Sequence, residues 1–227
     1  METLIAEDLL LLLLDDRKGT IAGTSHPEPA LGGAVLLELA LAGAVEVDEG
    51  ARRWRSAKVR AVPGAAPADP LLRTAYDTVA DKRRSAQDLV SRLGKGLRPT
   101  LGDRLVARGI LVREESRVLG VFPRTTWPTA DAQHERRVRT ELQAALVQGV
   151  DPDDRTRALV ALLSALSIAH KVVDHQGLSG GAVRKRAKEV AQGDWAAKAV
   201  RDAIQASTAA VMAGVAAAGV AASSSGS

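Results

Sequence analysis

The stretch GKGLRPTLGDRLVARG, Gly94 to Gly109, holds Lys95, Arg98 and Arg104 around a Pro-Thr and closes on a second glycine. Pro99 biases Arg98 away from the helical region, and Thr100 with Asp103 makes an acidic variant of the capping box. The spacing therefore predicts a helix beginning at Thr100, with Lys95 and Arg98 in the loop that runs into it. Unpaired N–H groups and the positive dipole end of a helix favour an anion, and two flanking cations add to that attraction, so phosphate is the natural guest. Thr100 and Asp103 could instead satisfy those N–H groups themselves and leave the cations as solvated surface. Arg104 and Arg108 fall one turn apart on the face beside Leu101 and Leu105, where they extend a cationic surface or complement the helix dipole.

Two other clusters carry chemistry-bearing residues. ARRWRSAKVR, Ala51 to Arg60, sets Trp54 among arginines on an expected strand, the look of a winged-helix element touching nucleic-acid phosphate. The neighbouring helices offer only Arg104 and Arg108 as strong readers of base edges, so nucleic acid is the weaker alternative. AHKVVDHQG supplies His170, Asp174 and His175, but no HExxH or dense ligand set surrounds them, and a helix-end hydrogen-bond pair is the expected role. No P-loop, GxSxG elbow, GxGxxG turn or CxxC pair occurs. An enzyme is disfavoured, and no metal or cofactor is expected.

The elements that must position these residues read as helices. Of 227 residues 46% are hydrophobic and only 2% aromatic, so the core must be built from Leu, Val, Ala and Ile, a balance that favours helix over strand. The chain lacks cysteine, which removes disulfides, thiolate nucleophiles and Cys-ligated zinc and is compatible with a cytoplasmic address. A net charge of +4 gives a mild bias towards anionic partners. The run Leu9–Leu14 is bounded by Glu7-Asp8 and Asp15-Asp16 and is far short of the roughly 20 residues a membrane span needs.

ETLIAEDLLLLLLDD reads as a buried helix, TSHPEPALGG as a loop, and AVLLELALAG as a helix stopped by Gly43. A hairpin about Asp48-Glu49-Gly50 follows. The order recurs as TLGDRLVARG, stopped by Gly109, and ILVREESRVLGVF, with a turn expected at Glu114-Glu115-Ser116. Between the copies, Asp69 and Pro70 open one long amphipathic helix reaching Gly94. Beyond TTWPT the chain reads as wholly helical: a basic helix in DAQHERRVRTELQAALVQG, an N-cap and first-turn pair at Asp151-Pro152, and ALVALLSALSIA, Ala158–Ala169, as the central buried helix. Two more helices follow, the second capped by Asp194. The fold class is mainly α, a helical bundle with two small β-hairpins, in a single domain over residues 1–213 and a flexible Ala/Gly/Ser tail over 214–227.

The ordered blocks GGAVLLELALAGAVEV, LRPTLGDRLVARGIL, TTWPT and RALVALLSALSIAHKVVD, after an acidic-flanked poly-Leu helix, resemble the Golgi phosphoprotein 3 family. The resemblance runs from about Leu4 to Val211, and the cysteine-free, Ala/Arg-rich composition looks like a bacterial member. It implies a central four-helix bundle surrounded by amphipathic helices, and binding of phosphatidylinositol 4-phosphate on a membrane face. In the family the pocket uses a tryptophan and an arginine before the LLELAL-type helix, plus two basic residues three apart. The second pair matches Lys95 and Arg98; the arginine position of the first falls at Gly32, and TIAGTSHPEPALGG holds no tryptophan. A weaker or different anionic headgroup is the expected ligand. The family's basic N-terminal tail and self-association hairpin have no counterpart in SRLGKGLRP or before the first helix, so trafficking partners and family-type oligomers are not carried over.

The leading expectation is a non-enzymatic peripheral membrane protein, cytoplasmic and reversibly held at a membrane face, with Lys95 and Arg98 as headgroup contacts. A winged-helix-like nucleic-acid binder and a cytoplasmic adaptor docking an acidic partner on HERRVRTEL are the alternatives.

Overall fold

Helix α2 (Pro27–Leu41) is buried along almost its whole length, from Ala30 to Leu37 and again at Leu39 and Ala40. Only a helix surrounded on all sides can be apolar all round, and α2 packs against α1 (Ile5–Leu13), α3 (Pro70–Asp81), α4 (Ala86–Gly94), α5 (Leu97–Ala107), α7 (Asp154–Ala165) and α9 (Lys198–Ser224). Of these, α4, α7 and α9 complete a central four-helix bundle with α2, and α1, α3, α5, α6 (Gln133–Leu146) and α8 (Gly180–Gln192) lie around it. This computed structural model describes residues 2–22, 24, 27–47, 57–118, 122–193 and 198–224. Its strands are β1 (Val45–Val47), β2 (Lys58–Ala61) and β3 (Arg84–Ser85), an antiparallel sheet in that order, and the hairpin β4 (Glu114–Val118) with β5 (Phe122–Thr126).

The expected repeat is present in both copies. After α2, Gly43 takes φ +67° and Ala44 N–H returns to Leu39 O at 2.8 Å; after α5, Gly109 takes φ +73° and Ile110 N–H returns to Leu105 O at 3.0 Å. Both are glycine-terminated helix ends in which a left-handed residue lets the chain satisfy a last-turn carbonyl and reverse into a strand.

Several boundaries depart from the sequence reading. α2 begins at Pro27, so PEPALGG is helix and not loop; its two glycines are sites of close approach, Gly32 under α4 and Gly33 under Val211 of α9. The central place belongs to α2; α7, though buried over Thr156–Leu163, ends at Ala165, short of Ala169. The cap of α7 is Asp153, which accepts from Thr156 N–H at 2.7 Å, while Asp151 pairs with Arg157. The long helix from Asp69 breaks at Lys82, where β3 pairs with β2, and Ser85 caps the new helix α4 by accepting from Asp88 N–H. Glu114, Glu115 and Ser116 lie within β4 and not in a turn. That ribbon is exposed on both faces at residues 114–116, so no hydrophobic alternation marks it. Asp48-Glu49-Gly50, the RRWR segment and Asp194 lie outside the described residues. α9 runs past residue 213 to Ser224, and Val215 packs against the core.

The poly-Leu helix α1 is buried at every position, including Glu7 and Asp8. Buried carboxylates survive only when paired. Glu7 accepts from Leu4 N–H at 2.7 Å and from Arg104 Nε at 2.9 Å, with Arg108 Nε at 3.5 Å. Asp8 meets His134 Nε2 and Arg155 Nη2, each at 2.7 Å. Arg155 also reaches Glu38 Oε1 at 3.2 Å and Thr3 O at 2.5 Å, and Glu38 accepts from Ile5 N–H at 2.5 Å. Arg104 also donates to Asp69 Oδ2 at 2.7 Å. For Asp69, burial alone would raise the pKa, but Arg104 and the N–H groups of Leu71 and Leu72 hold it below the ordinary aspartate range.

Glu38 goes the other way. Burial, reinforced by the charge of Asp8, lifts it above the ordinary glutamate range despite Ile5 N–H and Arg155. A carboxyl whose folded pKa is raised binds its proton more tightly folded than unfolded, so its contribution is present at low pH and lost as pH rises through the folded value. Glu38→Gln removes that titration. As pH is raised from mildly acidic to neutral, urea melts are expected to move the stability difference in favour of the variant; a constant difference would show that Glu38 titrates normally, and the opposite drift that folding lowers its pKa.

Candidate anion-binding surface

The α4–α5 junction consists of Lys95 and Gly96 alone, and Gly96 takes φ +68° to make the reversal. The left-handed residue starts α5 at Leu97, three residues ahead of the sequence expectation, so Arg98 and Pro99 occupy the first turn. Proline is tolerated there because the first-turn N–H groups have no intrahelical acceptor. No side chain caps this N-terminus. The expected partnership of Thr100 and Asp103 is not the cap, and Asp103 instead pairs with Arg113 at 3.1 Å. The helix start is thus more open to an anion than the capping-box reading allowed.

Lys95 is exposed and Arg98 half-buried. The Arg98 Cζ lies 5.1 Å from the centroid of the Trp127 ring, a cation–π distance, and its Nε is sealed from solvent without a hydrogen-bond partner among the described residues. Burial, then the nearby charge of Arg124, lowers the Arg98 pKa. Arg84, Arg104, Arg139 and Arg155 each meet a carboxylate, whereas Arg98 stacks on an indole and faces a second arginine. Two neighbouring cations with no acid between them among the described residues, at an uncapped helix start, are an arrangement that an anion would relieve.

Trp127 is the platform. It is 4% exposed, and its backbone N–H donates to Gly19 O at 3.0 Å. A Cβ on Gly102 would come 2.5 Å from Trp127 Nε1, and one on Gly19 would come 2.3 Å from the Trp127 backbone. Gly102 is therefore required by the close seating of this side chain, and Gly19 by the approach of the backbone that carries it. Sequence reasoning missed Trp127 and Arg124, which β5 and the segment after it bring to α5; the RTTW spacing was the available signal.

Gly32, where the resemblance implies an arginine, is buried where α2 crosses α4. A Cβ there would lie 2.1 Å from Val90 O and 2.7 Å from Gly94 N, next to Lys95. Helix packing fills the place the missing arginine would take. Arg104 and Arg108 are turned to Glu7 and build no cationic surface. His170 does not pair with Asp174: His175 Nε2 bonds His170 O at 2.6 Å, and the two rings lie 6.5 Å apart.

These features define a helical scaffold with a small cationic surface at one helix start, and no described helix is long and apolar enough to cross a membrane. The family model for Golgi phosphoprotein 3 (GPP34) matches residues 5–207. The chain belongs to the Golgi phosphoprotein 3 family. No curated protein matches it.

Proposed function

We propose that the protein is a non-enzymatic peripheral membrane protein whose Lys95 and Arg98, at the open start of α5, hold the phosphate of an anionic lipid headgroup such as phosphatidylinositol 4-phosphate. The observation that carries this reading is Arg98, seated over Trp127 with the charge of Arg124 nearby and no carboxylate partner among the described residues, beside Lys95. With glycine at position 32 the site lacks the second half of the family pocket, so attachment is reversible and salt-sensitive. It takes place at the cytoplasmic face, through a single domain. The nucleic-acid alternative loses support, because Arg104 and Arg108 face inward.

Co-sedimentation with neutral, phosphatidylinositol and phosphatidylinositol 4-phosphate vesicles tests the proposal. Recovery should increase along that series and fall as salt is raised. A cation near an anionic surface contributes about 1 kcal/mol, so Lys95→Ala/Arg98→Ala should weaken binding by about 2 kcal/mol, roughly 30-fold. Equal recovery on all three vesicles, or no loss in the double variant, overturns it.

A further inference from the structure

A groove of about 520 Å³ opens between α3, α2 and the α4–α5 junction, within the size range of small-ligand pockets. Val35, Leu71, Ala75, Leu93 and Leu97 form its apolar wall. Most of the charged and hydroxyl groups at its edge are committed elsewhere. The Thr74 hydroxyl donates to Pro70 O at 3.0 Å and the Thr78 hydroxyl to Thr74 O at 2.9 Å, so both donors are used within their own helix. Arg92 Nε is held by the two Asp88 oxygens at 3.0 and 2.9 Å, and Arg104 by Glu7 and Asp69. The Thr100 hydroxyl and Lys95 remain, and Lys95 is the one cation of the lining that meets no carboxylate among the described residues.

An apolar trough with a single uncommitted ammonium at its edge matches a single-chain amphiphile with one negative end. We infer that the groove takes the alkyl chain of a long-chain fatty acid, its carboxylate on Lys95 Nζ. Multiply charged ligands fit this groove poorly, since its two arginines are already neutralised by their own carboxylates. Arg98 does not line the groove, so fatty-acid binding and headgroup binding share Lys95 but are otherwise separate.

Displacement of the fluorescent fatty acid cis-parinaric acid by saturated fatty acids from octanoate to palmitate tests the inference. Affinity should rise roughly threefold to fourfold per added methylene, the increment for burying each one, and level off once the groove is full. Methyl esters of the same acids should bind about tenfold more weakly, as should the free acids to Lys95→Ala. Thr74→Trp, which fills the groove from an exposed position, should abolish displacement, while Arg98→Ala should leave it unchanged and weaken vesicle binding about fivefold. A flat chain-length series overturns the groove without use of any variant. Equal affinity for acid and ester overturns the role of Lys95, and undiminished binding by a folded Thr74→Trp overturns the location. Weaker vesicle binding in Arg98→Ala with fatty-acid affinity intact separates the two readings; a parallel fall in both overturns the independence of the groove.

Discussion

Placing arginine at position 32, where the family resemblance implies one, is expected to destabilise the protein by about 4 kcal/mol and to restore no headgroup affinity. Overpacking a core ordinarily costs about 1–3 kcal/mol, because side chains shift to accommodate it. At Gly32 the opposing atoms are Val90 O and Gly94 N, backbone of α4, and the reciprocal Cβ on Gly94 would lie 2.0 Å from Glu28 O of α2. Neither helix can yield without moving the bundle. For a chain of this size the loss corresponds to a fall in Tm of roughly 10 °C. Gly32→Ala should show most of it, since the first added carbon already makes the clash. A Gly32→Arg protein that melts with wild type and gains phosphatidylinositol 4-phosphate binding would refute the crossing as the reason for glycine.

The second large effect is expected at Arg155, whose guanidinium joins Asp8, Glu38 and the Thr3 carbonyl. Arg155→Ala leaves two carboxylates facing each other in the interior. Removing one partner of a buried pair costs about 3–5 kcal/mol, far more than the pair's net worth, because the remaining charge stays desolvated. Adding Asp8→Asn to Arg155→Ala should recover part of the loss, a non-additivity that chemical denaturation of the single and double variants would measure. Strict additivity would mean that the two groups are not coupled.

The parts of this fold that were legible in the sequence are those decided by neighbours in the chain. Asp69 with Pro70 announces α3, and Gly43 and Gly109 announce two helix ends, because a cap or a left-handed glycine acts within a few residues. The errors fall where distant segments decide. Gly32-Gly33 resembles a break, yet it is a contact surface for α4 and α9. Arg84 and Ser85 leave the helix to pair with β2. In the candidate site, Lys95 and Arg98 could be read from charge and spacing alone. Trp127 and Arg124 could not, since only the fold brings β5 and its following segment to α5. The uncapped start at Leu97 depends on the positive φ of Gly96, which the Pro-Thr signal masked.

The ion pairs of α1 also impose an order on synthesis. Glu7 is joined to Arg104 across 97 residues, Asp8 to His134 across 126 and to Arg155 across 147. A chain made from its N-terminus at roughly 5–20 residues per second exposes that helix on the order of ten seconds before its last guanidinium exists. The helix produced first is neutralised last. Throughout that interval the leucines from Leu9 to Leu14 are open to nascent chains and chaperones, so a stretch fully enclosed in the finished protein is a hazard while it is being made.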